Sequence, residues 1–213
     1  MPSERQSYPN AVQSFDWKRI RDSLDWGEGD AVSLGHSIVD RHADGDRIAL
    51  IVVSRHGVDR RFSYRELSEA SNRFANALRR LGVGQGDRVA GLMPRGAEVI
   101  IAIIATLKVG AIYVPVFTGF GPDAVDYRLK HCGARVLVTH HDVLRQVPPG
   151  TTAKLIVAGR SDAALPDDAI SFDMAVANES PDFAAVRRNR EEPAALIYTS
   201  GSTGQPKGGA IAV

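Results

Sequence analysis

The chain has 213 residues, 44% of them hydrophobic and 24% charged, with a formal net charge of +1. That length supports one sizeable core or two small ones, and the near-balance of charge gives no electrostatic case for nucleic acid or a membrane surface as a partner. The one cysteine, Cys132, excludes an intrachain disulfide and fits a reducing compartment.

The opening ten residues lack the apolar stretch of a secretory signal. The most apolar run, Val99 to Leu107, is far shorter than the ~20 residues that span a bilayer. It reads as a buried helix, and the protein is expected to be soluble and cytoplasmic. Residues 1–40 are polar and irregular and read as an N-terminal extension packed loosely on the main body, with Trp17 and Trp26 as candidate anchors.

Regular structure is expected from Ile48. Ile48 to Val53 is strand-like, His56-Gly57 supplies a turn, and Arg61-Phe62 returns as a second strand of a hairpin. Ser63 and Glu66 have the spacing of a capping box, in which the serine hydroxyl accepts a backbone N–H and the glutamate reaches back. The helix that follows places Leu67, Ala70, Phe74, Leu78 and Leu81 on one face and stops at Gly82. Arg88 to Met93 reads as a buried strand. A helix is expected from Ala97 to Gly110, then a strand from Ala111 to Val114 ended by Pro115. Pro122 opens a helix carrying Val125, Leu129 and Cys132 on its apolar face, closed by Gly133. Arg135 to Thr139 and Lys154 to Ala158 are further strands. Apolar strands without alternation, separated by helices, indicate a mainly parallel sheet flanked by helices, an α/β fold. In such sheets ligands sit at the carboxyl ends of the strands.

Three clusters invite functional readings that their chemistry does not support. Arg187, Arg188 and Arg190 are followed at once by Glu191 and Glu192, which reads as a solvated surface. His140-His141-Asp142 offers adjacent histidines that face opposite ways on a strand, with no further ligand at suitable spacing. His131-Cys132 could suggest a nucleophile pair, but Cys132 falls on an apolar helix face and reads as a core thiol.

The segment Tyr198 to Gly208 carries more chemistry than any other. Thr199, Ser200, Ser202 and Thr203 supply hydroxyls, and Gly201 and Gly204 let the backbone turn sharply against a ligand. Successive N–H groups in such a turn form an anion-binding nest, and Lys207 adds a positive charge, a combination suited to a polyphosphate. It is not a Walker loop, since Pro206 stands where that pattern has glycine and Gly208 where it has Ser or Thr. A flexible Gly/Ser linker would need neither the apolar strand Ala194 to Tyr198 in front nor Pro206-Lys207-Gly208 behind.

This string resembles the phosphate-loop signature of the adenylate-forming superfamily of acyl-CoA synthetases, peptide-synthetase adenylation domains and luciferases. Phe62 to Leu67 and Leu107 to Pro115 resemble two earlier motifs of that family, and Gly86 to Ala90 fits the strand between them. The resemblance implies a fold corresponding to the first part of the large N-terminal domain, with an α/β subdomain over 41–192 and a strand and phosphate loop over 193–213 opening the next subdomain. It implies that Thr199, Ser200, Gly201, Ser202, Thr203 and Gly204 cradle the β- and γ-phosphates of ATP, with Lys207 at the loop's end. It also implies a two-step ligation that uses ATP with Mg²⁺, a small-molecule carboxylate and CoA. The family's magnesium-binding glutamate and its catalytic lysine on a small C-terminal domain fall outside these 213 residues, so this polypeptide alone is expected not to form acyl-adenylate.

Gly209 departs from the usual aliphatic residue, and Val213 stands where many members carry histidine. Phe117 to Ala124 resembles the acetyl-type branch and favours a short aliphatic acid. The alternatives are an adenylation domain whose acceptor is a carrier-protein thiol, and a non-catalytic binding module on the same fold, against which the intact hydroxyls and Lys207 speak.

Overall fold

The structure is a computed structural model that describes residues 7–23, 31–54, 56–159, 164–199 and 205–212. Its helices are α1 (Tyr8–Gln13), α2 (Trp17–Ser23), α3 (Leu34–Ile38), α4 (Tyr64–Arg80), α5 (Ala97–Lys108), α6 (Pro122–Cys132) and α7 (Phe172–Val176). Its strands are β1 (Ala31–Val32), β2 (Ile48–Ser54), β3 (Gly57–Ser63), β4 (Arg88–Leu92), β5 (Ile112–Val116), β6 (Val136–His140), β7 (Lys154–Ala158), β8 (Ala169–Ser171), β9 (Arg188–Asn189), β10 (Ala195–Thr199) and β11 (Lys207–Ile211).

Among the described residues, seven strands form one sheet in the order β11-β10-β5-β4-β6-β7-β8. Every neighbouring pair is parallel except β10 with β11. The sheet grows in both directions from β4. The crossover through α5 leads to β5 on one side, and the crossover through α6 leads to β6 on the other. The two helices therefore cover opposite faces, as right-handed crossovers in opposite directions require. Side chains alternate accordingly. Val89, Val136, Val138 and Ile156 pack with Phe74 and Leu78 of α4 and Ile101 and Ile104 of α5. Ala90, Leu92, Val114, Val116 and Leu137 pack with Val125 and Leu129 of α6. This is the α/β architecture expected from the unbroken apolar strands.

Local signals account for most boundaries. Ser63 caps α4 in a full capping box: its backbone N–H donates to Glu66 Oε2 at 2.7 Å, and the Glu66 N–H donates to Ser63 Oγ at 3.2 Å. Glu66's carboxyl is held below the ordinary glutamate value by those hydrogen bonds, the one from the Ser63 backbone first. Gly133 ends α6 in the left-handed conformation at φ 60°.

Four expectations need correction. Trp17 is no anchor, being 70% exposed on α2, and Trp26 lies outside the described residues. Regular structure begins well before Ile48. Residues 31–42 pack on the body: β1 pairs with β9, and α3 lies against α5. Arg188 is not solvated. Its side chain is largely buried, pairs with Glu192 at 2.8 Å and donates to the Pro193 carbonyl at 2.9 Å, while Arg187 donates to the Ala31 carbonyl. Finally, β5 does not end at Pro115; its ladder with β4 continues through Gly91–Pro115 and Leu92–Val116. What ends at Pro115 is the other ladder. The Tyr113 N–H donates toward β10, to the Ala194 carbonyl at 3.0 Å. Residues two apart on a strand present their amides to the same side. Pro115 therefore faces β10 without an N–H, and the pairing between β5 and β10 is confined to Tyr113–Ala195.

The N-terminal segment is fastened by a buried ammonium. Lys108, at the end of α5, is fully buried, and its Nζ lies 2.6 Å from Asp40 Oδ1, 2.6 Å from Asn72 Oδ1 and 3.3 Å from the Ser68 carbonyl. Burial lowers its pKa from the ordinary lysine value, opposed by the hydrogen bond and charge of Asp40. Gly35 allows α3 to lie on the lysine stem, because a Cβ there would overlap Lys108 Cγ.

Candidate functional site

The carboxyl ends of the parallel strands lie along one edge of the sheet, and β10 brings Thr199 to that edge. Thr199 closes β10 and Lys207 opens β11, and the two face each other as a cross-strand pair. Both are exposed, and Lys207 has no ion pair among the described residues. Ser200, Gly201, Ser202, Thr203 and Gly204, also assigned from sequence, lie outside the described residues. The antiparallel return strand β11 was not expected from sequence. Its Lys-Gly-Gly-Ala-Ile composition carries two glycines and little β-propensity, so only pairing with β10 defines it.

Helix α6 lies beside this hairpin and touches both of its arms. On the outgoing arm, the Tyr198 hydroxyl is hydrogen-bonded to His131 Nδ1 at 2.7 Å and lies 3.4 Å from the Arg128 carbonyl. On the returning arm, the Tyr127 hydroxyl donates to the Pro206 carbonyl at 3.1 Å. The rings of Tyr127 and His131 lie 5.5 Å apart, and those of His131 and Tyr198 also 5.5 Å. The buried Arg128 guanidinium sits 3.9 Å from the Phe120 ring centre and 5.6 Å from that of Tyr198. Burial pushes the Tyr198 hydroxyl up to about 12, so it is a neutral hydrogen-bonding group at physiological pH.

Sequence reasoning singled out His131 only beside Cys132 and passed over Tyr127 and Arg128. The available signal was the i, i+4 placement of an aromatic ring and a histidine on one face of a helix whose opposite face is apolar. Cys132 is buried in the core, with its thiol pKa raised chiefly by that burial, which fits the core reading. His140 accepts the Asp142 N–H at 3.2 Å in a local turn. Among the described residues no group of three or more His, Cys, Asp or Glu side chains is arranged to hold a metal ion, and no helix is long and apolar enough to cross a membrane.

The chain matches the family model for the AMP-binding enzyme over residues 39–212. It is 35% identical to the acetyl-coenzyme A synthetase of Methylobacterium radiotolerans over 93% of this chain and 34% of that protein. It is 32% identical to that of Bacillus subtilis over 95% of this chain and 36% of that protein. The crystal structure of an acyl-CoA synthetase from Brucella canis superposes with a TM-score of 0.85 at 30% identity, covering 97% of this chain and 38% of that one. An anthranilate CoA ligase solved with anthranoyl-AMP superposes at 0.75 and 27% identity, covering 86% of this chain and 35% of its own. The chain thus spans about a third of the length of the curated relatives it matches.

Proposed function

The chain belongs to the AMP-binding enzyme family, and on that premise we propose that its β10–β11 hairpin carries the phosphate-binding part of an ATP-dependent carboxylate-activating site. In the reaction proposed for the whole enzyme, a carboxylate oxygen attacks the α-phosphorus of ATP and the bond to the bridging oxygen breaks, releasing pyrophosphate. The thiol of CoA then attacks the acyl carbon of the acyl-adenylate, giving a thioester and AMP. In-line phosphoryl chemistry of this kind depends on positioning and on stabilising charge.

One observation carries the reading. Thr199 and Lys207 stand opposite each other at the carboxyl edge of a parallel sheet, at the two ends of the segment whose sequence supplies hydroxyls and glycines. A hydroxyl and an ammonium at the two stems suit the oxygens and the negative charge of a nucleotide tail. Thr199, Ser200, Gly201, Ser202, Thr203, Gly204 and Lys207 are the proposed phosphate ligands. Magnesium would enter with the nucleotide as MgATP. The likeness to acetyl-coenzyme A synthetases supports a short aliphatic acid and CoA as the other substrates.

Equilibrium binding of MgATP to this chain tests the assignment. Lys207→Ala should weaken binding about tenfold, the range for losing a hydrogen bond to a charged group. Equal affinity in wild type and variant removes Lys207 from the site, and absence of binding in the wild type removes the reading for this chain. The isolated chain is expected to show no carboxylate-dependent exchange of ATP with pyrophosphate, because the proposed groups bind phosphate without supplying a pocket for the acid.

A further inference from the structure

By its backbone the β10–β11 hairpin is weakly tied to the sheet it extends, although Leu196 and Tyr198 pack on the core. Among the described residues its backbone register with β5 is the single pair Ala195–Tyr113, and Pro115 withholds the next amide on that side. Thr199 and Lys207, paired with each other, therefore lie beyond the last ladder bond to β5. The polar links to the hairpin's far end come from α6: Tyr127 to the Pro206 carbonyl, and His131 and the Arg128 carbonyl to Tyr198. These links reach both arms, one residue from Lys207 on the return and one from Thr199 on the way out. Helix α6 itself begins just after β5, with Gly121 as its N-cap, and its Val125 and Leu129 are buried in the core beneath the sheet.

We propose that α6 is the element that sets the positions of Thr199 and Lys207, with Tyr127 and His131 as positioning residues that act through Pro206 and Tyr198. Neither side chain need touch the nucleotide; each acts through a stem of the hairpin. The inference rests on the phosphate reading for its consequence, but its geometry stands on contacts between described residues.

Hydrogen exchange measured by mass spectrometry on the intact chain tests it without any ligand. Tyr127→Phe keeps the ring against His131 and removes only the hydroxyl. Exchange over residues 207–211 should accelerate about fivefold, the effect of losing one net hydrogen bond, while peptides from β4 and β6 stay unchanged. His131→Ala should raise exchange over 195–199 as well. Magnesium tripolyphosphate should bind Tyr127→Phe more weakly than wild type by a similar factor. Unchanged exchange over 207–211 in Tyr127→Phe overturns the proposal, as does acceleration shared equally by β4 and β6, which marks general loosening. If the segment responds but the wild type does not bind tripolyphosphate, the clamp stands and the phosphate reading falls.

Discussion

Lys108 and Lys207, each within a stretch that resembles a family motif, end in opposite surroundings. Lys108 is fully enclosed, with an aspartate, an amide and a carbonyl around its ammonium. Lys207 is exposed at the first residue of a strand that, among the described residues, pairs only with its own hairpin partner. The difference separates two parts of the molecule. Around Lys108 the sheet is continuous and packed on both faces, and side chains far apart in sequence meet in a closed interior. Around Lys207 the described residues join the hairpin to the rest through one backbone pair, a few side-chain bonds from α6 and the packing of Leu196 and Tyr198 on the core. Charge in the first region serves the fold, because a buried ammonium without partners would be prohibitively costly. Charge in the second is exposed, with no ion pair among the described residues.

Mutations should separate these regions. The largest effect is expected at Lys108→Met, which leaves Asp40 and Asn72 without their partner and should cost about 3–5 kcal/mol in urea unfolding. A loss below about 1 kcal/mol would mean that the cluster behaves as a surface pair. Pro115→Ala restores an N–H on the side that faces β10. It should stabilise the hairpin locally by about 1 kcal/mol, visible as slower amide exchange over residues 195–199; no slowing would show that something other than the missing amide stops the ladder. Ser63→Ala removes a capping partner of α4 and should cost about 1 kcal/mol in thermal unfolding, within the body. Glu66→Gln probes the same cap through pH. The carboxyl is depressed below its ordinary value of 4.5 by the Ser63 hydrogen bonds. Its ionised form therefore contributes stability above that value, and the contribution is lost as pH falls through the lowered pKa. The stability gap between wild type and Glu66→Gln should be present at neutral pH and close in acid; a gap independent of pH would exclude a role for the charge. The smallest effect on stability belongs to Lys207→Ala, within about 0.5 kcal/mol, although the same change should weaken MgATP binding.

What could be read in advance followed the range of the interaction. The capping box at Ser63 and Glu66, the apolar face of α4 and the glycine stop of α6 involve residues within a few positions of one another, and the structure has them as expected. The candidate site was legible in composition: hydroxyls, glycines and a lysine at close spacing. Its support was not. Tyr127 and Pro206 are 79 positions apart and His131 and Tyr198 67, so no local pattern could pair them. The burial of Arg188 likewise depended on Glu192 and Pro193 folding back around it, which its acidic neighbours in sequence disguised as solvent exposure.

By itself the sequence determined the kinds and order of the elements from β2 to β7 and the chemistry concentrated between Tyr198 and Gly208, because hydrophobic period, caps and turn residues act over a few positions. Only the tertiary structure decided that Lys108 is enclosed, that Pro115 turns its missing amide toward β10, and that α6 reaches both arms of the hairpin. Those outcomes depend on which faces meet when the sheet closes on its helices, and packing between distant segments is settled by the whole core together.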